Sequence, residues 1–168
     1  MSIIINTERL TLKKIEKQDL KILVNHLNNW NVVKWLVNVP YPYTLIDAET
    51  WLDKSSKEEL ALNIYFKSIL IGGITIDKRT TKNSPVLGYW IGEEYWGNGY
   101  ALEACNSLIS YFFSNYSGNK LYASHMLKNE KSKKILLNLG FQKVSEGKVF
   151  SLSKNKEVDD VNYELIKS

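Results

Sequence analysis

The sequence predicts a mixed α/β domain, with a central, mixed but mostly antiparallel sheet and helices on both faces. Three observations predict it. Read for apolar periodicity, the chain gives the order β-α-α-β-β-β-α-β-α-β-β, about seven strands and about four helices. The early strands are close enough in sequence for antiparallel pairing. The strand ending at Gly92 and the strand starting at Lys120 are separated by a helical pattern, enough chain for a right-handed crossover joining parallel strands. No repeat, low-complexity tract or Gly/Ser/Pro-rich linker divides the 168 residues, so residues 1–168 form one expected domain.

In order, Arg9 to Ile15 alternates like a strand, and Leu20, Leu23, Val24 and Leu27 fall at helical spacing. Pro40 to Thr44 breaks regular structure. Thr44 and Asp47 match a capping box, and Ala48, Trp51 and Leu52 follow as an apolar face. Leu60 to Phe66 and Ile69 to Ile76 read as strands joined at Lys67–Ser68, a turn without the Gly or Asn that would define its type. A loop from Thr80 to Pro85 precedes a strand from Val86 to Gly92. Ala101, Leu102, Cys105, Leu108, Ile109, Phe112 and Phe113 share one helix face. Lys120 to Met126 is a strand, and Ser132, Ile135, Leu136 and Leu139 form a helical stripe. Gly140 stops that helix, with Phe141 as the apolar contact beyond it. Phe141 to Leu152 and Val158 to Ile166 close the chain as strands.

Composition narrows the class. Net charge is +4 with a pI near 9.0. That is mildly basic and fits anionic partners, but no basic-aromatic motif on any one element points to nucleic acid. One Cys, Cys105, excludes an internal disulfide, and two His give no metal-ligand cluster, so no metal is expected. Met1 to Asn6 lacks the pattern of a signal peptide, and no apolar run nears the roughly 18 residues of a membrane span. A reduced, cytoplasmic protein without a membrane partner is expected.

The stretch YWGNGYALEA, Tyr95 to Ala104, sets Gly97 and Gly99 between a strand and a helix N-terminus. There the first backbone N–H groups lack internal partners and, with the helix dipole, attract anions. Glycine lets phosphate oxygens approach such backbone, although a plain strand-to-helix turn also uses glycine. No Lys-Ser/Thr follows, which excludes a P-loop. Leu102 stands at the third glycine position of a dinucleotide fingerprint, and the next strand has no acid.

LGYWIGEEYWGNGYALEA, Leu87 to Ala104, followed by NEKSKKILLNLGF, Asn129 to Phe141, resembles the GCN5-related N-acetyltransferase (GNAT) family. The likeness is greatest to the branch that acetylates N-terminal amines of ribosomal proteins, which PYPYT followed by DAETWL also resembles. The resemblance implies the GNAT fold, acetyl-CoA as acetyl donor, an amine acceptor and, through edge strands, room for a homodimer. It implies that the pyrophosphate sits on Trp96, Gly97, Asn98, Gly99, Tyr100 and Ala101. Gly99 and Ala101 match the family's Gln/Arg-x-x-Gly-x-Gly/Ala pattern; Trp96 departs from it. It further implies that the strand Tyr89 to Gly92, with Trp90 and Ile91, pairs with the pantetheine arm, and that an N–H near Ile91 faces the thioester oxygen, where a donor stabilises an oxyanion. Asn129 matches the family's Asn that holds the same arm. Lys131, Lys133 and Lys134 meet phosphates by charge.

Attack by an amine requires a proton to leave it and often one to reach the thiolate. Better-known N-terminal acetyltransferases place a Glu where this chain has Ser124, and a Tyr where it has Leu136. Neither role transfers. Ser132 matches a Ser of the ribosomal-protein branch and is the candidate proton donor; its alternative is a helix-capping role. Glu93 and Glu94, at the end of the central strand, are the candidate bases, directly or through water. Glu103, in the first helical turn, is read as structural. The acceptor pocket is expected between the two N-terminal helices and the last hairpin, with Tyr41 and Tyr43 as walls, Trp51 as core and His26 on the surface. Asp159, Asp160 and Tyr163 either orient the amine or close the sheet. A non-catalytic acyl-CoA sensor of the same fold is the competing reading.

Overall fold

The computed structural model describes residues 2–78 and 84–168. The chain folds as β1 (Ile5–Asn6), β2 (Leu10–Lys13), α1 (Leu20–Leu27), α2 (Trp30–Val33), α3 (Leu45–Ser56), β3 (Ala61–Phe66), β4 (Ile69–Asp77), β5 (Val86–Ile91), α4 (Tyr100–Asn115), β6 (Lys120–Met126), α5 (Glu130–Asn138), β7 (Gln142–Ser151) and β8 (Lys156–Ile166). The strands form one eight-stranded sheet in the order β1-β2-β3-β4-β5-β6-β8-β7, antiparallel throughout except for the parallel pair β5–β6. This is the expected architecture with two additions, β1 and α2. A two-residue strand and a four-residue helix are too short to show a period. The loop expected from Thr80 to Pro85 falls mostly outside the described residues.

Local chemistry accounts for most boundaries. The Thr44 side chain accepts from the Asp47 N–H and the Asp47 carboxylate accepts from the Thr44 N–H, so the capping box starts α3 as its sequence predicts. α5 ends with Phe141 N–H on the Leu136 carbonyl and Gly140 N–H on the Leu137 carbonyl, the paired bonds of a Schellman stop. Lys67 and Ser68 both take positive φ, +48° and +65°. That is the backbone of a primed two-residue hairpin turn, built without Gly or Asn because the β3–β4 ladder on either side dictates it.

Two apolar clusters cover the two faces of the sheet. On one face Leu12, Leu62, Ile64 and Ile74 pack with Leu108 and Phe112 of α4 and Leu136 of α5. On the other, Tyr65 and Leu70 pack with Leu20, Leu23 and Leu27 of α1, Val32 of α2 and Ala48 of α3. Burying each of these Leu, Ile or Phe side chains stabilises the fold by about 1.5–3 kcal/mol. β4 carries one extra residue, Ile71, between the pairs Tyr65↔Leu70 and Ile64↔Gly72. The Ile71 carbonyl accepts from the Gly92 N–H at 2.8 Å, which fixes the end of β5.

Candidate active site

The site begins where the sheet opens. β5 and β6 pair at Val86↔Tyr122, where the Tyr122 N–H donates to the Pro85 carbonyl at 2.9 Å, and have no further ladder partners. Gly92 N–H points to β4, so by strand alternation the N–H groups of Trp90 and Gly88 do too, while those of Ile91 and Tyr89 point toward β6. Two backbone donors therefore line a V-shaped opening at the C-terminal end of parallel strands. The Ile91 carbonyl accepts from the Trp96 indole at 2.7 Å, folding the following turn back over the strand.

That turn runs through a 3-10 segment, Glu93–Tyr95, to Gly97 and Gly99, at φ +79° and +78°. Side chains other than glycine pay strain in this region. Asn98 donates to the Tyr95 and Trp96 carbonyls at 3.0 and 3.2 Å and pins the turn. A Cβ at Gly97 would meet nothing within 4 Å, and one at Gly99 only the Arg9 guanidinium at 3.6 Å. The glycines are thus needed for their φ, and the space beside them is open. Gly99 is the N-cap of α4 and offers no side chain, so the first N–H groups of a 16-residue helix face that space. Lys131 of α5 sets its ammonium 4.2 Å from the centre of the Trp96 ring, and Lys134 lies exposed one turn on. An uncapped helix N-terminus, open backbone and a nearby cation fit a pyrophosphate, and the outward N–H groups of Tyr89 and Ile91 fit an amide-bearing arm beside β5. The residues present therefore fit coenzyme A.

On the α5 side of the opening, Asn129 caps the helix by accepting from the Ser132 N–H at 3.2 Å. The Ser132 hydroxyl lies 2.8 Å from the Tyr89 hydroxyl. Burial pushes the Tyr89 phenol up, so it stays protonated. Sequence reasoning missed Tyr89; its signal was its place in the central strand, one turn of the pleat before Ile91. Leu136 is fully buried in the core.

On the other side of β5, a cavity of about 570 Å³ is lined by Ile22, Asn25 and His26 of α1, Asn29 at the start of α2, Ile69 of β4, and Glu93, Glu94 and Tyr95. Glu94 is exposed. Glu93 is half-buried, and its Oε2 is buried without a hydrogen-bond partner. His26, expected on the surface, is instead buried at 8% exposure. Its Nε2 lies 3.0 Å from the Leu70 carbonyl and its ring leans on Trp90 and Tyr95. It follows Leu23 by three residues, on the face of α1 that meets the sheet. A carbonyl only accepts, so the contact puts a proton on Nε2. Gly92 admits the ring: a Cβ there would collide with Nδ1.

The other expected acceptor residues divide. Tyr41 is exposed and stacks at a tilt on Trp30, 5.1 Å between ring centres, at the mouth of this half. Tyr43 is 6% exposed inside the second core cluster, so it is a core residue and not the wall expected. Trp51 is half-buried against the same cluster. The β7–β8 hairpin reaches α2 and the segment after it: Leu152 N–H donates to the Val37 carbonyl at 2.9 Å and the Ser153 hydroxyl to the Val33 carbonyl at 3.1 Å. Asp159 pairs with Lys148 at 3.3 Å and Tyr163 is buried against His125, so both close the sheet. Asp160 is 9% exposed with Oδ1 unpartnered. Glu103 accepts from the Thr7 hydroxyl at 2.6 Å and from the Arg9 backbone and guanidinium at 2.8 and 2.7 Å, tying the N-terminal segment to α4.

Comparison with known proteins identifies the family and the fold. Residues 9–142 match the model of the acetyltransferase (GNAT) domain. The chain is 30% identical over 170 residues to p20 of Bacillus licheniformis, an uncharacterized N-acetyltransferase, across 96% of this chain and 94% of that protein. A GNAT-family acetyltransferase from Bacillus anthracis has the same fold, with a TM-score of 0.83 at 21% identity over 98% of both chains. So has RimL, a ribosomal alpha-N-protein acetyltransferase solved in complex with coenzyme A, with a TM-score of 0.83 at 15% identity over 98% of both chains. The chain belongs to the GNAT family and is an acetyl-CoA-dependent N-acetyltransferase.

Proposed function

We propose that the chain acetylates a primary amine, at a protein N-terminus or on a small molecule. The observation that carries this reading is the parting of β5 from β6 beside the glycine turn, which turns the Tyr89 and Ile91 N–H groups and the start of α4 toward one opening. Bound acetyl-CoA supplies an acetyl thioester. The turn from Trp96 to Ala101, with Lys131 and Lys134, holds its phosphates; Trp90, Ile91 and Asn129 line the path of its arm. The Ile91 N–H donates to the carbonyl oxygen and opposes the charge that builds there.

At neutral pH an α-amine, with a pKa of about 8, is mostly protonated, so the acceptor needs a base. Glu93 takes that role: it lines the cavity between α1 and the end of β5, and its buried Oε2 has no hydrogen-bond partner. Glu94, exposed at the same rim, assists through water. Ser132 Oγ holds a proton on the α5 side, backed by the Tyr89 phenol. Tyr41 forms the outer wall for the acceptor. A cytoplasmic setting belongs to the same reading. A homodimer through β7 is disfavoured: that edge carries Lys143, Lys148 and a bulge at Val144, devices that block strand pairing.

The test is release of free CoA thiol from acetyl-CoA across N-terminal peptides, polyamines and small amines, with heat-stabilisation by acetyl-CoA as binding control. Turnover with one amine class is the expected result. Binding without turnover on any amine would sink this reading and favour an acyl-CoA sensor.

A further inference from the structure

Four lysines converge at the outer end of the acceptor half. Lys34 follows α2, Lys128 follows β6, Lys154 lies in the β7–β8 turn and Lys156 opens β8. The Lys34 and Lys154 ammonium groups sit 5.5 and 5.3 Å from the centre of the Trp35 ring. Burial lowers the Lys154 pKa, and Lys156, Lys34 and Lys128 lower it further. Among the described residues none of the four forms an ion pair with a carboxylate. Like charges gathered without a counterion oppose one another. The backbone nevertheless holds them together, because the hairpin bonds to the Val33 and Val37 carbonyls.

The opposite sign lies one strand in from the V, on β8. Asp160 pairs in register with Met126, the last residue of β6, and its buried Oδ1 has no partner. Lys156 precedes Asp160 by four strand residues, about 13 Å in extended chain. On the face of β8 that carries Lys156 and Asp160, charge is therefore ordered, carboxylate inward and ammonium farther out, while Glu157 and Asp159 alternate to the other face. A polyamine would be repelled by the outer cluster, and a small amine would not reach it.

We propose that the acceptor is the N-terminus of an acidic polypeptide, with its α-ammonium at the V-shaped opening and carboxylate side chains about three to five residues in meeting Lys34, Lys128, Lys154 and Lys156. This rests on the N-acetyltransferase reading of the opening and names the substrate class within it.

The experiment is CoA-thiol release with peptides that share their first two residues and carry Glu, Gln or Lys at positions three to six. The acidic peptide is expected to exceed the neutral one in kcat/KM by about tenfold at low salt, the yield of two or three solvent-screened pairs, with the gap narrowing as salt rises. The Lys34→Gln/Lys154→Gln double variant raises KM for the acidic peptide toward the neutral-peptide value with kcat retained. Equal constants for acidic and neutral peptides, a preference that survives undiminished in the double variant, or a polyamine as best acceptor would overturn the acidic-peptide assignment alone. No turnover with any amine, while acetyl-CoA still raises Tm, would overturn the underlying reading as well.

Discussion

The two halves of the cleft are made of different material. The cofactor half is mostly backbone: outward N–H groups on β5, two left-handed glycines and a helix start, braced by the Trp96–Ile91 and Asn98 hydrogen bonds. The acceptor half is side chains from α1, α2, the β5–α4 turn and the β7–β8 hairpin, and it holds two carboxylates with buried, unpartnered oxygens. Backbone grips a ligand common to a whole family. Side chains on separate elements can change one at a time, so on the proposed reading that half would set what is acetylated.

This contrast can be broken by single substitutions. The largest expected effect is on turnover: Glu93→Gln lowers kcat by about a hundredfold or more, the usual worth of a general base, while acetyl-CoA still raises Tm. Retained turnover would remove Glu93 from the chemistry. On the cofactor side Gly99→Ala imposes a left-handed strain of about 1–2 kcal/mol and weakens acetyl-CoA binding about tenfold by calorimetry, with no change in the KM for the amine. Gly92→Ala drives a Cβ into the His26 ring and destabilises the fold by about 1–3 kcal/mol, read as a lower denaturant midpoint. Ser132→Ala and Tyr89→Phe are each expected to lower kcat several-fold, and the double variant no more than either, because the two hydroxyls act as one unit. Additive losses would separate them.

The smallest effect is structural. Burial raises the Glu103 pKa, but hydrogen bonds from Thr7 and Arg9 and the Arg9 charge outweigh it and leave a net depression. A carboxyl depressed on folding stabilises above its unfolded pKa of about 4.3, and that contribution is lost as pH falls through the folded value. Glu103→Gln should flatten the acid limb of stability below about pH 5 and leave stability near pH 7 to 8 only slightly reduced.

How much of this is legible in the sequence follows the same division. β6 runs from Lys120 to Met126 as its alternation predicts, and the Thr44 and Gly140 signals mark real helix ends. The glycine turn announces itself because only glycine takes φ near +78° without strain. The acceptor half does not. His26 reads as polar and therefore exposed, yet it is buried through a bond to Leu70, 44 residues away. Tyr43 looks like a wall beside Tyr41, but the two residues flank Pro42 and point to different environments, one core and one solvent. The Tyr89–Ser132 bond spans 43 residues. No local pattern encodes such pairings.

The Val86↔Tyr122 pair has a consequence beyond the cleft. It makes the sheet two leaves, β1 to β5 and β6 to β8, joined by a short hinge of backbone with α4 arching between them. A molecule lying along the open edge of β5 stands in for the missing rungs. Amide hydrogen exchange should report this as slower exchange at the Tyr89 and Ile91 amides and across β6 when acetyl-CoA is present. The donor would then be part of the architecture during each turnover, and the protein would breathe most when it is gone.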